Sequence, residues 1–354
     1  MNLVSAAAIA IAFGLIVLFH EAGHFVAARL SGMAVHEFSI GIGRPLLFWL
    51  KRGETQYSFR LWPFFSYVRV AGMEPGDDHP QGFNRKSRLA QAFVLVMGCL
   101  MNFVLAVAIY IVMGTAVGLP VPEASVYEVM PDTPAARVEL LPGDKLLGVD
   151  GKTGLSVEEI REAIQEHPGK PLDLEIEREG QARTISITPM IEDAYELKGL
   201  RIKKVPVGLI GIRFNFTRKH AGIGESIVLG FRQTIAMIQL QAAGLLGMLT
   251  GEVRADVMGP VGVVHTMYGE AESSWSEFLS TFALIAIAIG FLNLLPIPPL
   301  DGSRLVIVAI EAIRRKPFDK HKESLVHLIG FGLLLVLVVV LTYQDILRII
   351  MGGE

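Results

Sequence analysis

His20-Glu21-Ala22-Gly23-His24 sets two imidazoles four residues apart with a carboxylate beside the first. In a helix, positions i and i+4 share a face, so His20 and His24 can grip one metal ion while Glu21 acts as a base on a neighbouring water. The surroundings are those of a membrane. From Leu3 to Ala28 the only side chains that are not apolar are Ser5, His20, Glu21 and His24. About 20 apolar residues in a helix suffice to cross a bilayer. A carboxylate at mid-membrane costs about 2.5–3.5 kcal/mol on insertion scales, so such a group marks function. The run has no basic leader, its apolar stretch is too long for a cleaved signal, and it carries the candidate ligands; it is expected to stay as a first span.

Catalytic zinc keeps three protein ligands and leaves one position open. The third ligand has to come from another span at the same depth. Asn293-Leu-Leu-Pro-Ile-Pro-Pro-Leu-Asp301-Gly302 supplies one. Pro296, Pro298 and Pro299 remove helix donors and break the span, Gly302 permits close backbone approach, and a broken helix is tolerated in a bilayer where it lines a cavity. His36, His79, His167, His220, His265, His321 and His327 have no ligand spacing and are assigned to surface or packing roles. Glu311 reads as a helix-end charge, and Arg304 as a side chain reaching for the cytoplasmic interface. Cys99, the single cysteine, reads as a small buried apolar residue that cannot form an internal disulfide.

The elements that must position these residues follow from hydropathy. Of 354 residues, 51% are hydrophobic, which is too apolar for one soluble domain. The net charge of −3 offers no footprint for nucleic acid, and none is expected as a partner. The predicted fold is a multi-pass α-helical membrane protein of four spans with an inserted, mainly β domain. The divisions are a first span (1–28), a cytoplasmic loop (29–88), a second span (89–119), the inserted domain and its extension (120–220), a non-spanning amphipathic helical region (221–277), a broken third span with Asp301 (278–313), a short cytoplasmic loop (314–323) and a fourth span (324–346). Lys and Arg crowd 29–88 and 314–322, so both loops are expected in the cytoplasm, with 120–277 outside. Gln233, Gln239, Gln241 and Thr250 make Glu225–Thr250 a poor span. Were it to cross, Asp301 would lie on the wrong side from His20 and His24.

Within 29–88, Gln56–Leu61 and Tyr67–Val70 are β-prone runs separated by Trp62–Ser66, which predicts a membrane-associated hairpin with its turn there. In the insert, Val126–Val129, Asp173–Arg178 and Thr184–Thr188 alternate as strands and Val157–Glu166 as an amphipathic helix. Pro131-Asp-Thr-Pro-Ala-Ala, followed by Leu140-Leu-Pro-Gly-Asp-Lys-Leu-Leu-Gly-Val-Asp-Gly151, closely resembles a PDZ domain, a module that binds extended peptides along a strand edge.

Taken together, H-E-x-x-H in the first span and N-x-x-P-x-P-x-x-D-G in a late one resemble the site-2 protease family of intramembrane zinc metalloproteases. The inserted PDZ-like domain makes the chain most similar to the bacterial regulator-of-sigma-E protease group. Gly98-x-x-x-Asn102 and Gly259-Pro-Val-Gly262 also look like that family's patterns. The resemblance implies one catalytic Zn2+ held by His20, His24 and Asp301, and Glu21 as the base. It places Asn293, Asn102 and Tyr67 in substrate binding or oxyanion stabilisation. It further implies a bacterial inner-membrane location, an active site toward the cytoplasm, and single-span substrates such as anti-sigma factors already trimmed by another protease. Two departures are visible. There is one PDZ-like domain where some members have two, and Pro63-Phe64-Phe65-Ser66-Tyr67-Val68 stands where the family often has Pro-x-Gly-Gly-Tyr-Val. Rival readings are a non-catalytic membrane adaptor that binds peptides through the PDZ-like domain, and a metal-ion transporter. The intact Glu21 argues against both, because metal binding alone needs no carboxylate beside the ligands.

Overall fold

A computed structural model describes residues 2–351 apart from 75, 200, 254–256 and 317, with no side-chain description at 45, 46, 63–65, 196–198, 201 and 320. The chain divides into two compact units. A helical unit takes the chain through Met113, the stretch Ile223–Gln241 and the described residues from Val257 to Met351. A β-rich unit takes Gly114–Gly222 and the segment that begins at Ala242.

In the helical unit, α1 (Leu3–Leu30) starts at Asn2, whose Oδ1 accepts from Val4 N at 3.1 Å. That bond satisfies one of the amides a helix start leaves open. α2 (Arg88–Val112) is capped by Ser87 and runs on through a π turn at Met113–Val117. Small residues let α1 and α2 touch backbone to side chain. A Cβ on Gly23 would collide with the Met97 carbonyl, and one on Gly98 with the His24 ring. The chain later forms α7 (Trp275–Asn293), an irregular turn, α8 (Asp301–Arg314) and α9 (Lys320–Ile350). Among the described residues α1, α2 with its π turn, α7 and α9 are long and apolar enough to cross a membrane. The expected break of the third span therefore lies between α7 and α8, and Gly302 there packs against the carbonyls of Leu294 and Leu295.

α5 (Ile223–Thr250) and α6 (Pro260–Ser273) occupy the region expected to be helical and non-spanning, and neither is among the helices found long and apolar enough to cross a membrane in the described residues. α6 is tied to α9. Buried Asp345 accepts from Gly259 N at 3.0 Å and from Gly262 N at 2.7 Å. Glu311 does more than end a helix: it sits 2.5 Å from Arg88 on α2 and accepts from Phe318 N at 2.7 Å. Arg304 lines a cavity of about 200 Å³ with Arg88, Gln91 and His327. His36 bonds Asp77 at 3.0 Å and stacks edge-on with His79, in keeping with a packing role.

The hairpin differs from the expectation. β1 (Val35–Arg52) and β2 (Thr55–Val70) turn at Gly53 (φ 63°) and Glu54, and Trp62–Ser66 lies inside β2 rather than at the turn. Gly53 supplies the positive φ that a tight turn needs. Both strands are long enough to change partners. Residues 46–52 face 55–60, while Glu37–Ile40 face Gln56–Phe59 in matching order and Arg69–Ser66 in reverse order. The result is a ribbon of four paired segments side by side, in the order 66–70, 35–40, 56–60, 46–52. Phe48, Trp49 and Trp62 are exposed on this sheet. Its other end joins the packed core of Ala27, Ala28, Val35, Val70, Val94, Leu95 and Val308.

The β-rich unit holds β3 (Leu119–Val129), α3 (Pro134–Arg137), β4 (Lys145–Val149), β5 (Lys152–Thr153), α4 (Val157–Gln165), β6 (Leu172–Arg178), β7 (Gln181–Ile187), β8 (Met190–Lys198), β9 (Arg201–Leu209) and β10 (Ile212–Lys219). One sheet runs β10-β3-β4-β6-β7 with β5 on β4, and β8-β9 form a separate hairpin. Its core is Leu146, Val149, Ile160, Ile164, Leu172, Leu174, Ile176 and Ile187. α4 begins with a capping box, Ser156 with Glu159. Asp144 is buried and bonded by the Arg178 guanidinium, which holds its carboxyl below the usual range. Sequence alternation found β3, β6, β7 and α4 and missed the β8-β9 hairpin and the return of β10 onto β3.

Candidate metal centre

The first two donors lie one turn apart on α1, as a helix requires. His20 Nε2 and His24 Nε2 are 3.2 Å apart, and Asp301 Oδ2 lies 3.1 Å from each. Asp301 is the first residue of α8, so the broken span delivers it at a helix start, where backbone amides favour a carboxylate. His24 Nδ1 hydrogen-bonds the Val94 carbonyl at 2.8 Å. A proton on that nitrogen leaves Nε2 as a lone pair facing the other two donors, the usual way a second partner fixes a ligating imidazole. His20 Nδ1 is buried without a partner among the described residues.

These residues fit zinc. A tetrahedron with bonds of about 2.0–2.1 Å has edges of roughly 3.3 Å, close to the spacing of this triangle. Two imidazoles and one carboxylate are also a known catalytic zinc set that leaves a fourth position open. Glu21 stands beside the triangle but outside it. Its Oε2 accepts from Val68 N at 2.8 Å, on the strand 66–70.

The remaining candidates are placed unequally. Asn102 is completely buried on α2, with neither side-chain polar atom paired among the described residues, and it packs by Gly290 of α7. Asn293 is the last residue of α7, half-buried at the mouth of the irregular turn. The Tyr67 hydroxyl is engaged with Glu37 on the sheet, where the Arg60 guanidinium lies 5.8 Å from the Tyr67 ring centre. It is the backbone of the next residue that reaches Glu21. One participant was invisible in the sequence. Val68 acts through its amide, which no residue type advertises. Cys99 is buried, as expected, and its Sγ lies within 4.8 Å of the ligand atoms of His20 and Asp301. Its position one residue after Gly98, the glycine that touches His24, was the one available signal.

The model of "Peptidase family M50" matches residues 8–337. The chain is similar to "Zinc metalloprotease RasP" of Oceanobacillus iheyensis (30% identical, covering 95% of this chain and 97% of that one) and of Geobacillus kaustophilus (31%, 95% and 96%). It is also similar to "Regulator of sigma-W protease RasP" of Bacillus subtilis (27%, 96% and 97%). Among solved structures, the PDZ domain of an SdrC-like protein from Listeria innocua aligns with 28% of this chain and 99% of its own, at 22% identity and a TM-score of 0.21. A triangle of two histidines and an aspartate on apolar helices, with a glutamate beside it, and a family match over nearly the whole length lead to one statement: the chain belongs to peptidase family M50 and is a metalloprotease of the membrane.

Proposed function

We propose that this protein hydrolyses peptide bonds within the membrane-spanning segments of single-span proteins, using one zinc ion held by His20, His24 and Asp301. The observation that carries the reading is the convergence of these three donors at 3.1–3.2 Å next to the one carboxylate retained in α1. When bound, zinc polarises the scissile carbonyl and lowers the pKa of the attacking water. Glu21 takes that water's proton and passes it to the leaving amine. Asn102 and Asn293 hold the substrate backbone or its developing oxyanion. An unpaired amide buried in a helix bundle is costly, which favours a partner that arrives with the substrate. Tyr67 serves the same strand indirectly, through the sheet.

A helical substrate hides its peptide bonds, so it has to unwind before cleavage. The outer edge of residues 66–70 offers it a strand to pair with. The name of the Bacillus subtilis relative, a regulator of sigma-W protease, favours anti-sigma factors as the substrate class. We place the PDZ-like region on the outer side of a bacterial inner membrane. There it filters out substrates whose outer domains are untrimmed, or grips a peptide end. The zinc site faces the cytoplasmic side, so the cleaved fragment is released there.

Purified protein tested on a model membrane substrate decides the matter. Glu21→Gln is expected to abolish cleavage with zinc retained, and Asp301→Ala to lose both zinc and cleavage. Substantial cleavage by Glu21→Gln, or full zinc occupancy in Asp301→Ala, removes that residue from the mechanism.

A further inference from the structure

The sheet and the catalytic carboxylate meet at a single hydrogen bond, from Val68 N to Glu21 Oε2 at 2.8 Å. Residues 66–70 are the outermost strand of their sheet. They pair inward with 35–40, and no strand lies on their other side among the described residues. The Val68 N–H points away from that ladder, since its acceptor is on α1. Edge amides of this kind are ordinarily left to water or to an incoming strand. Here the acceptor is the carboxylate of H-E-x-x-H, and the other oxygen of Glu21, Oε1, accepts nothing among the described residues.

We propose that the backbone amide of Val68 is a positioning group for Glu21: it fixes one carboxylate oxygen so that Oε1 is presented to the attacking water. The inference rests on the reading of Glu21 as the base. A glutamate has several rotatable bonds, and among the described residues no other hydrogen bond restrains this one. A charge-assisted bond from a backbone amide fixes both position and orientation without adding a competing charge next to the metal ligands. Because the amide belongs to the strand expected to receive substrate, the sheet register and the aim of the base are set by one residue. Glu21 also occupies the edge opposite Val68, so a paired substrate strand has to stop there.

The test removes the N–H and nothing else. An ester at position 68, made by incorporating the α-hydroxy analogue of valine, keeps the side chain and deletes the donor. Val68→Pro deletes it by encoding, at an edge position where proline is tolerated. Val68→Ala keeps it. With a membrane substrate and zinc content measured in parallel, the ester and Val68→Pro are expected to lose about ten- to hundredfold in kcat, the size of a hydrogen bond to a charged group. KM and zinc content should hold, and Val68→Ala, which keeps the donor, should lose less kcat than the ester. A wild-type kcat in the ester variant overturns the proposal. So does a loss confined to KM, which would make the edge a substrate contact only, or a loss of zinc, which would make the bond structural. Wild-type protein that cleaves no membrane substrate would instead remove the protease reading itself, and the base with it.

Discussion

At the scale of single residues, two kinds of position built the centre, and only one kind could be read from the chain. His20, Glu21 and His24 announce themselves by spacing, and Asp301 by the prolines that break its helix. The glycines that let these groups converge announce nothing. Gly98 lies against the His24 ring, and any Cβ there would push the imidazole off its bond to Val94 O. Gly98→Ala is therefore expected to weaken zinc binding by about 10–100-fold, the usual effect of losing a ligand's outer partner. Competition with a chelator measures this. Gly244→Ala is the control, because open space surrounds Gly244 in α5 and the change should be neutral or stabilising by up to about 1 kcal/mol. Equal zinc affinity in Gly98→Ala and wild type would show that the ring needs no such clearance. The contacts of Cys99 and Val68 were illegible for a related reason: a thiol's neighbours and an amide's acceptor are set by helix and sheet packing that one sequence does not display.

At the scale of elements, the spans were legible and the hairpin was not. Twenty or more apolar residues leave little choice of structure, whereas β1 and β2 carry their turn at Gly53-Glu54, a short polar stretch that competed with Pro63 for attention. The link between α6 and α9 was equally hidden. Asp345 is near the end of α9, yet it serves as the cap of α6 by accepting two of its first amides. Its negative charge also meets the positive end of that helix. Asp345→Ala is expected to destabilise the protein by about 1–3 kcal/mol, since two amides lose their acceptor in a buried place. Asp345→Asn should cost less, because one carbonyl oxygen remains. Thermal unfolding in detergent checks the order, and zinc content should be unchanged in both. If the alanine variant unfolds at the wild-type temperature, the contact is incidental.

At the scale of the whole molecule, hydropathy pointed to the four helices that are long and apolar enough to cross a membrane, and α5 is not among them in the described residues. The orientation proposed from the Lys and Arg pattern has a direct check. Cysteines placed at Lys51 and Lys316 in a Cys99→Ala background should label only from the cytoplasmic side, and one at Lys152 only from the outer side. Labelling of the Lys152 position from the cytoplasm would make α5 a crossing helix and reverse the assignment of sides.

The close seat of Gly23 and Gly98 has a mechanical consequence as well. Where two helices meet with a carbonyl against one glycine and a ligand ring against the other, no clearance is left for sliding or parting. α1 and α2 therefore travel as one rigid plate that carries two of the three metal donors, the base and Cys99. On that flank the centre has a wall. Any opening for a substrate would then fall to the pieces the plate does not hold; of the two other helices long and apolar enough to cross a membrane, α9 is the less buried, 6% of its apolar stretch against 39% for α7.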